Sequence, residues 1–471
     1  MFNLQECDRY QQQALAEINK GNNVFITGPA GTGKSKILEG IRYYAKLNKK
    51  QLAVVAPTGI AAYNVEGVTL HSFLHLPLVP HLPGYTNPKL FQLKKVDIEV
   101  IKSLDIIVID EVSMVSCDLM DKVDLVLCHY RNSDKPFGGI QIVLMGDLFQ
   151  LPPVVERKDW NQLQDFYSTP FFFSSKVFER FQYNLIELKE NHRQANDPRF
   201  FDILCGIRTN NVSPWMLTSI SRRFRKGCKK WSNYLFITTH KKKVKRKNSR
   251  QLKRLMTTEY SSVAEVEGRY PPEEYPTEKI LTLKVGARII FVKNDNTTHK
   301  YFNGSFGEIK SIEDDHLVVT LDNSNESILV YKEKWDKYDY QINKTTKEIE
   351  PYICGSFTQY PIRLGWAITV HKSQGLTLNK AVIDVESSFS HGHVYVALSR
   401  CRTKKGIFLT SPITKDLLMY EEDVMDFMHR IEYKPYIPDT NVEEEVIDLF
   451  ADTIPAEFAD DEVIDLFAGL F

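Results

Sequence analysis

The sequence predicts an α/β protein built on a parallel sheet, and three stretches carry that expectation. An apolar run at residues 23–27 leads straight into residues 28–35, GPAGTGKS, and residues 36–48 behind it read as helix. Strand, Gly-rich turn and helix is the setting in which G-x-x-x-x-G-K-[ST] cradles phosphates. A second apolar strand, in DIIVIDE at 105–111, delivers Asp110 and Glu111 at its carboxyl end, 76 residues after Lys34. The interval holds a further strand at 52–56 and a helix, so both motifs can stand at the strand ends of one sheet.

The size of the chain, 471 residues with 43% hydrophobic side chains, allows two to four domains. Its seven cysteines are scattered singly, without C-x-x-C or a His/Cys cluster at ligand spacing, which argues against a disulfide framework or zinc module. The opening MFNLQECDRYQQQ is not a signal peptide, and no apolar run reaches 18 residues. No membrane association is expected, and the location is read as intracellular, nuclear and cytoplasmic both remaining open. The balance of 60 basic and 60 acidic residues hides a segregation: residues 203–258 hold 16 Lys/Arg and no acid, while residues 441–471 hold 10 Asp/Glu and no base. A polyanion is the first partner to consider for the basic segment.

Each element of the nucleotide motif has a chemical role. Glycines at 28, 31 and 33 let the backbone of Gly28, Ala30, Gly31, Thr32 and Gly33 curl around phosphates, Lys34 brings a cation to the terminal phosphates, and Ser35 offers a hydroxyl to Mg2+. Asp110 is expected to hold the same ion, and Glu111 to orient and deprotonate the attacking water. Nucleotide hydrolysis is therefore expected.

The kind of hydrolase follows from residues 110–154, where DEVSMVSCDLMDKVDLVL runs into PFGGIQIVLMGDLFQLPPV. This stretch resembles the PIF branch of the PIF/RecD-like superfamily 1 DNA helicases. Further blocks recur in order: APTGIAAYNVEGVTLHSF (56–73), LKENHRQ (188–194), THKKKV, LKVGARIIFVKND, NGSFGEI, AITVHKSQGLTL (367–378) and YVALSRCR (395–402). The resemblance implies an ATP-dependent DNA helicase moving 5′ to 3′ on single strands in replication, recombination or repair, with single-stranded and forked DNA as partners. It places an adenine-reading glutamine at Gln11, and implies that Gln150 senses the γ-phosphate and that Arg193 and Arg400 are charge-stabilising fingers. Phosphoryl transfer needs such donors on its equatorial oxygens. It also implies nucleic-acid contacts at Thr58, His71, Ser72, Thr239, His240, His371 and Lys372, groups suited to phosphate rather than base recognition.

The resemblance further implies two RecA-like P-loop domains with a small inserted wedge and an inserted small β-barrel. The first domain is expected over residues 1–200, with a Pro-rich wedge-like insertion at 74–104, and the second over 201–284 and 361–440. Alternating stretches at 287–292, 307–312, 316–321 and 327–331 read as strands of the barrel at 285–360, whose alternative is an insertion without function. An RNA or RNA–DNA hybrid motor, and a non-catalytic nucleic-acid scaffold, are the competing functional readings. The run KKKVKRK (241–247) reads as an electrostatic nucleic-acid contact on a helix, against a nuclear import signal or a solvated face. Finally, EVIDLFA occurs twice in the acidic tail, at 445–451 and 462–468. A flexible tail carrying an apolar, acidic, duplicated motif is expected to dock on a single-strand-binding or other replication protein, or to compete with DNA for the basic segment, against packing as helical turns on the protein's own surface.

Overall fold

The computed structural model describes residues 2–432 except 86–87, 225–233, 294, 296–299, 302, 304, 323, 325 and 343–348. The duplicated motif and the rest of 433–471 lie outside the described residues.

Six strands form a wholly parallel first sheet in the order Val68–Thr69, Leu52–Ala56, Ile106–Ile109, Gln141–Met145, Val24–Thr27, Asn184–Glu187. The central runs VFIT and IIVI are buried at every position, because helices cover both faces. Alternation sorts their side chains: Val24, Ile26, Ile106 and Val108 pack with Leu15, Ile18 and Ile41 of helices Arg9–Asn19 and Lys34–Leu47. Phe25, Ile107 and Ile109 face the other way, onto Met120, Val123 and Leu127 of helix Cys117–Arg131.

A second parallel sheet has the order Ala367–Thr369, Leu235–Thr238, Ala381–Asp384, Ile407–Leu409. Between its segments lies antiparallel structure. Strands Ser327–Tyr331, His316–Leu321, Phe306–Ile312, Arg288–Phe291 and Ile362–Leu364 make one five-stranded sheet. The expected barrel is not closed: among the described residues the two outer strands of this sheet do not pair, and its apolar face is covered by Leu281 and Leu283 of a separate two-stranded ribbon, Glu259–Val263 with Ile280–Lys284.

Three other features depart from the sequence reading. The region 74–104 contains a helix, Lys95–Ser103, anchored by buried Val100 and Ile101; nine residues with Pro-rich flanks show little helical period. A long hairpin, Glu333–Ile342 with Ile349–Gln359, pairs with Glu265–Gly268 and runs beside that helix. The C-terminal helix Glu422–Glu432 was expected within the second unit, but Val424, Phe427 and Met428 pack into the first sheet's core among Phe172, Phe178 and Phe181. Its apolar stripe finds there an aromatic cluster, Phe427 stacking on Phe173 at 4.2 Å.

Candidate active site

The loop after strand Val24–Thr27 keeps Gly28, Gly31 and Gly33 at φ of +146°, +90° and +82°. A Cβ on Gly28 would meet the Leu188 carbonyl at 2.6 Å, and one on Gly31 would meet Arg193 Cβ at 2.6 Å, so glycine is required by space as well as by φ. Lys34 Nζ donates to the carbonyls of Gly28 (2.8 Å) and Pro29 (3.2 Å), and burial holds its ammonium below the ordinary range. The Thr32 hydroxyl donates to the Pro29 carbonyl at 2.9 Å.

Strand Ile106–Ile109 ends at Asp110 and Glu111, the latter at φ +50°. Burial raises Asp110 to about 6; burial and then the Asp110 charge raise Glu111 to about 7. Strand Gln141–Met145, between the two motif strands, leads to fully buried Asp147, which accepts from Arg208 Nε at 3.0 Å and Gln150 Nε2 at 3.3 Å. Arg400 is buried, donating to the Val396 carbonyl and the Ser399 hydroxyl, both at 2.8 Å, while Arg193 donates to the Ser399 carbonyl at 3.3 Å. Burial, with Arg193 adding to it, lowers Arg400 to about 9.

A cleft of about 640 Å³ between the two parallel sheets brings together Ala30, Gly31, Thr32, Gly33, Lys34, Ser35, Asp110, Glu111, Gln150, Arg193 and Arg400. Gly28 is not among the lining residues; its carbonyl accepts from Lys34 Nζ. Gln11 does not line this cleft: its amide donates to the Thr32 carbonyl at 3.3 Å, and its oxygen accepts from the Asp8 amide in a capping box. The donor set fits magnesium, a hard ion preferring oxygen, since the Ser35 hydroxyl and the adjacent half-buried carboxylates of Asp110 and Glu111 face one space.

The nucleic-acid candidates occupy matching places on the two sheets. Thr58 follows strand Leu52–Ala56, and His71 and Ser72 follow its neighbour Val68–Thr69, with Ala56 paired to Thr69. Thr239 and His240 follow Leu235–Thr238, and His371 and Lys372 follow its neighbour Ala367–Thr369, with Thr238 paired to Thr369. Thr69 caps its short helix by accepting from Ser72 N, and Thr369 does the same for Lys372 N, each at 3.2 Å. Burial lowers His71 to about 4 and also lowers His371, so both rings are neutral near pH 7. The basic run does form a helix, Lys241–Arg254, but not all of it faces solvent. Lys243 pairs with buried Asp384 at 2.9 Å, and Lys247 sits 4.2 Å over the Phe236 ring. The exposed stripe is Lys241, Lys242, Lys245, Arg246, Arg250, Lys253 and Arg254.

Sequence reasoning left out Asp147, Arg208, Gln374 and Tyr395. Gln374 Nε2 donates to Glu111 Oε2 at 2.9 Å, and the Ala30 amide donates to the Tyr395 hydroxyl at 2.8 Å. Asp147, Gln374 and Tyr395 stand inside the quoted motif blocks, which were the available signal for them, whereas nothing in the sequence marks Arg208.

A phosphate loop, a strand-end Asp-Glu pair, Arg193 beyond the first sheet's last strand and Arg400 reaching in from the second sheet's unit define a two-sheet P-loop NTPase motor. The PIF1-like helicase family model matches residues 7–208. The chain is 30% identical over 465 residues to the ATP-dependent DNA helicase Pif1 of Campylobacter jejuni, covering 92% of this chain and 99% of that protein. It is 32% identical over 454 residues to the Psychrobacter protein of the same name, covering 85% and 67% respectively. Among solved structures, Bacteroides Pif1 in complex with ADP-AlF4 superposes with a TM-score of 0.83 at 35% identity over 91% of this chain and 97% of that one. Bacteroides Pif1 bound to ssDNA gives 0.66 at 36% identity, over 90% and 97%. The chain belongs to the PIF1-like helicase family. Among its described residues, no helix is long and apolar enough to cross a membrane.

Proposed function

We propose that the protein is an ATP-dependent DNA helicase that translocates 5′ to 3′ on single strands and unwinds duplexes during replication, recombination or repair. The observation that carries this reading is the cleft in which Lys34 and Glu111 of the first sheet face Arg400 of the second. In this reading residues 1–200 with helix Glu422–Glu432, and 201–284 with 361–421, are RecA-like motor units. The antiparallel insertion at 285–360 packs its sheet on the ribbon Glu259–Val263 with Ile280–Lys284, and 74–104 is the wedge. The phosphates of ATP lie along the Gly28–Ser35 loop, gripped by Lys34, with Gln11 behind the loop toward the base. Ser35 and Asp110 would hold magnesium, which when bound neutralises charge on the phosphate oxygens. Glu111 orients the attacking water and accepts its proton, while Gln150, Arg193 and Arg400 stabilise the charge of the transferring group. Because Arg400 and the loop belong to different sheets, hydrolysis alters the grip between them. That alternation moves Thr58, His71 and Ser72 relative to Thr239, His240, His371 and Lys372 along the backbone. The exposed basic stripe adds sequence-independent affinity, and the acidic tail is a docking segment for a replication partner.

Strand displacement and ATP turnover on DNA and RNA substrates of both polarities test the reading. Lys34→Ala should abolish both activities while retaining single-strand binding. Glu111→Gln should bind ATP yet lose at least about 100-fold in turnover, as expected for a lost general base. Near-wild-type turnover by Glu111→Gln would refute the assignment, and preferential unwinding of RNA or hybrid duplexes would replace DNA as the substrate.

A further inference from the structure

Residues 372–379 form a partition between two spaces. Lys372, Gln374 and Leu376 line a second cavity, shared with Arg363 of strand Ile362–Leu364 and with Gly59 and Asn64 from the first sheet's side. The intervening Gly375, Thr377 and Asn379 line the nucleotide cleft. Lys372 belongs to the short helix Val370–Ser373 and the chain turns at Gln374 and Gly375, so one short stretch touches both spaces. Gly375, at φ +80°, supplies a turn within it that side-chain-bearing residues disfavour.

The second cavity brings two cations, Arg363 and Lys372, to a lining that also holds Glu274, whose carboxylate is paired with Lys337 at 2.6 Å. Arg363 and Lys372 stand close enough for the guanidinium to be the first cause holding Lys372 down, at about 8, with Glu278 opposing the effect. A phosphate relieves the repulsion between two such cations, and guanidinium and ammonium donors suit its oxygens. His371 and Lys372 belong to the strand-end row already described, so the cavity continues the line expected for a nucleic-acid backbone. Gln374 completes the connection through its 2.9 Å hydrogen bond to Glu111, across 263 residues of sequence.

We propose that Gln374 is a positioning residue: a backbone phosphate of single-stranded nucleic acid seated against Lys372 and Arg363 shifts the 372–379 partition, and the Gln374–Glu111 hydrogen bond transmits that shift to the carboxylate that handles the attacking water. A hydrogen bond of this length does not survive a displacement of about 1 Å, so a small movement of the partition suffices to reset Glu111. The inference rests on the helicase reading above.

The test measures ATP turnover by the full chain with and without oligothymidylate. Absence of stimulation in the wild type would remove the helicase reading itself. With the wild type stimulated, Gln374→Met, near in size but lacking the amide, should reduce the ratio of stimulated to unstimulated turnover by about tenfold or more. The ATP KM and the oligonucleotide Kd should stay within about twofold, a split that a general structural defect does not produce. Retained stimulation in Gln374→Met, or a loss that merely follows weaker ATP or oligonucleotide binding, overturns the proposal. If Gln374→Met does not fold, Gln374→Asn keeps the amide on a side chain too short for the same contact, and its turnover ratio is read against the same two outcomes.

Discussion

The backbone N–H of Ala30 donates to the hydroxyl of Tyr395 at 2.8 Å, fastening the phosphate loop to helix His393–Leu398 of the second unit across 365 residues of sequence. Burial pushes the Tyr395 hydroxyl above its ordinary range, so it is neutral. Tyr395→Phe keeps the ring and leaves a loop amide without its acceptor, at a cost of about 1–3 kcal/mol. Phosphate oxygens can supply the missing acceptor. The variant should therefore melt lower than wild type alone and show a larger rise in Tm on adding ADP; equal rises would disprove the coupling.

Arg208 and Asp147 form a buried ion pair, and Glu187 lies 3.3 Å from the same guanidinium. Removing one partner of such a pair strands the other charge, at about 3–5 kcal/mol. Arg208→Leu should thus lose stability in a denaturant titration. It should also slow ATP turnover, because Asp147 accepts from Gln150. A stable variant with full turnover would show that Asp147 is compensated elsewhere.

The helix Lys241–Arg254 divides into two classes of lysine. Reversing the charge of exposed Lys241, Lys242 and Lys245 should weaken single-strand binding alike for all sequences, flattening the log-log salt slope by about 0.7 per lost contact. Lys243→Glu faces Asp384 and should instead lower the melting temperature. Unaltered salt slopes in the triple variant would assign the stripe to another role.

The Lys372 ammonium, held at about 8 first by Arg363 and then by burial, titrates just above neutrality. Below that pH it is charged and attracts phosphate; above it the charge and its contribution fade. Single-strand affinity should fall between pH 7 and 9.5, less steeply in Lys372→Arg, whose guanidinium keeps its charge. Parallel pH profiles for the two proteins would refute a phosphate contact here.

Phe427 carries the C-terminal helix onto the first unit and is 7% exposed. Phe427→Ala removes a ring from the Phe172, Phe173 and Phe178 cluster and should cost about 3–5 kcal/mol. Calorimetry should find the loss in the transition that ADP raises, since the nucleotide loop belongs to that unit; a loss confined to another transition would contradict the packing.

Much of the catalytic cleft was legible in the sequence because its parts are local. A phosphate loop needs glycine at fixed intervals, and a buried strand announces itself as an unbroken apolar run, as in VFIT, LAVVA and IIVI. The strands at 316–321 and 327–331 were equally readable, since one face is buried and the other wet. Helix Lys95–Ser103 was not legible, because two buried residues in nine make no period. The hairpin Glu333–Ile342 with Ile349–Gln359 was missed for a related reason: the alternation in its run WDKYDYQI changes phase between Lys337 and Tyr338, where the strand bulges.

What the sequence determined by itself was the local motifs that the cleft gathers, the glycine-rich loop at 28–35 and the strand-end Asp110 and Glu111. The tertiary structure alone decided the pairings between distant segments. Arg208 on Asp147, Lys243 on Asp384, Gln374 on Glu111 and Tyr395 on Ala30 join positions from 61 to 365 residues apart. No local pattern encodes such contacts, because burial, which fixes the worth of a charge or a hydrogen bond, is set by whichever remote surface closes over the group.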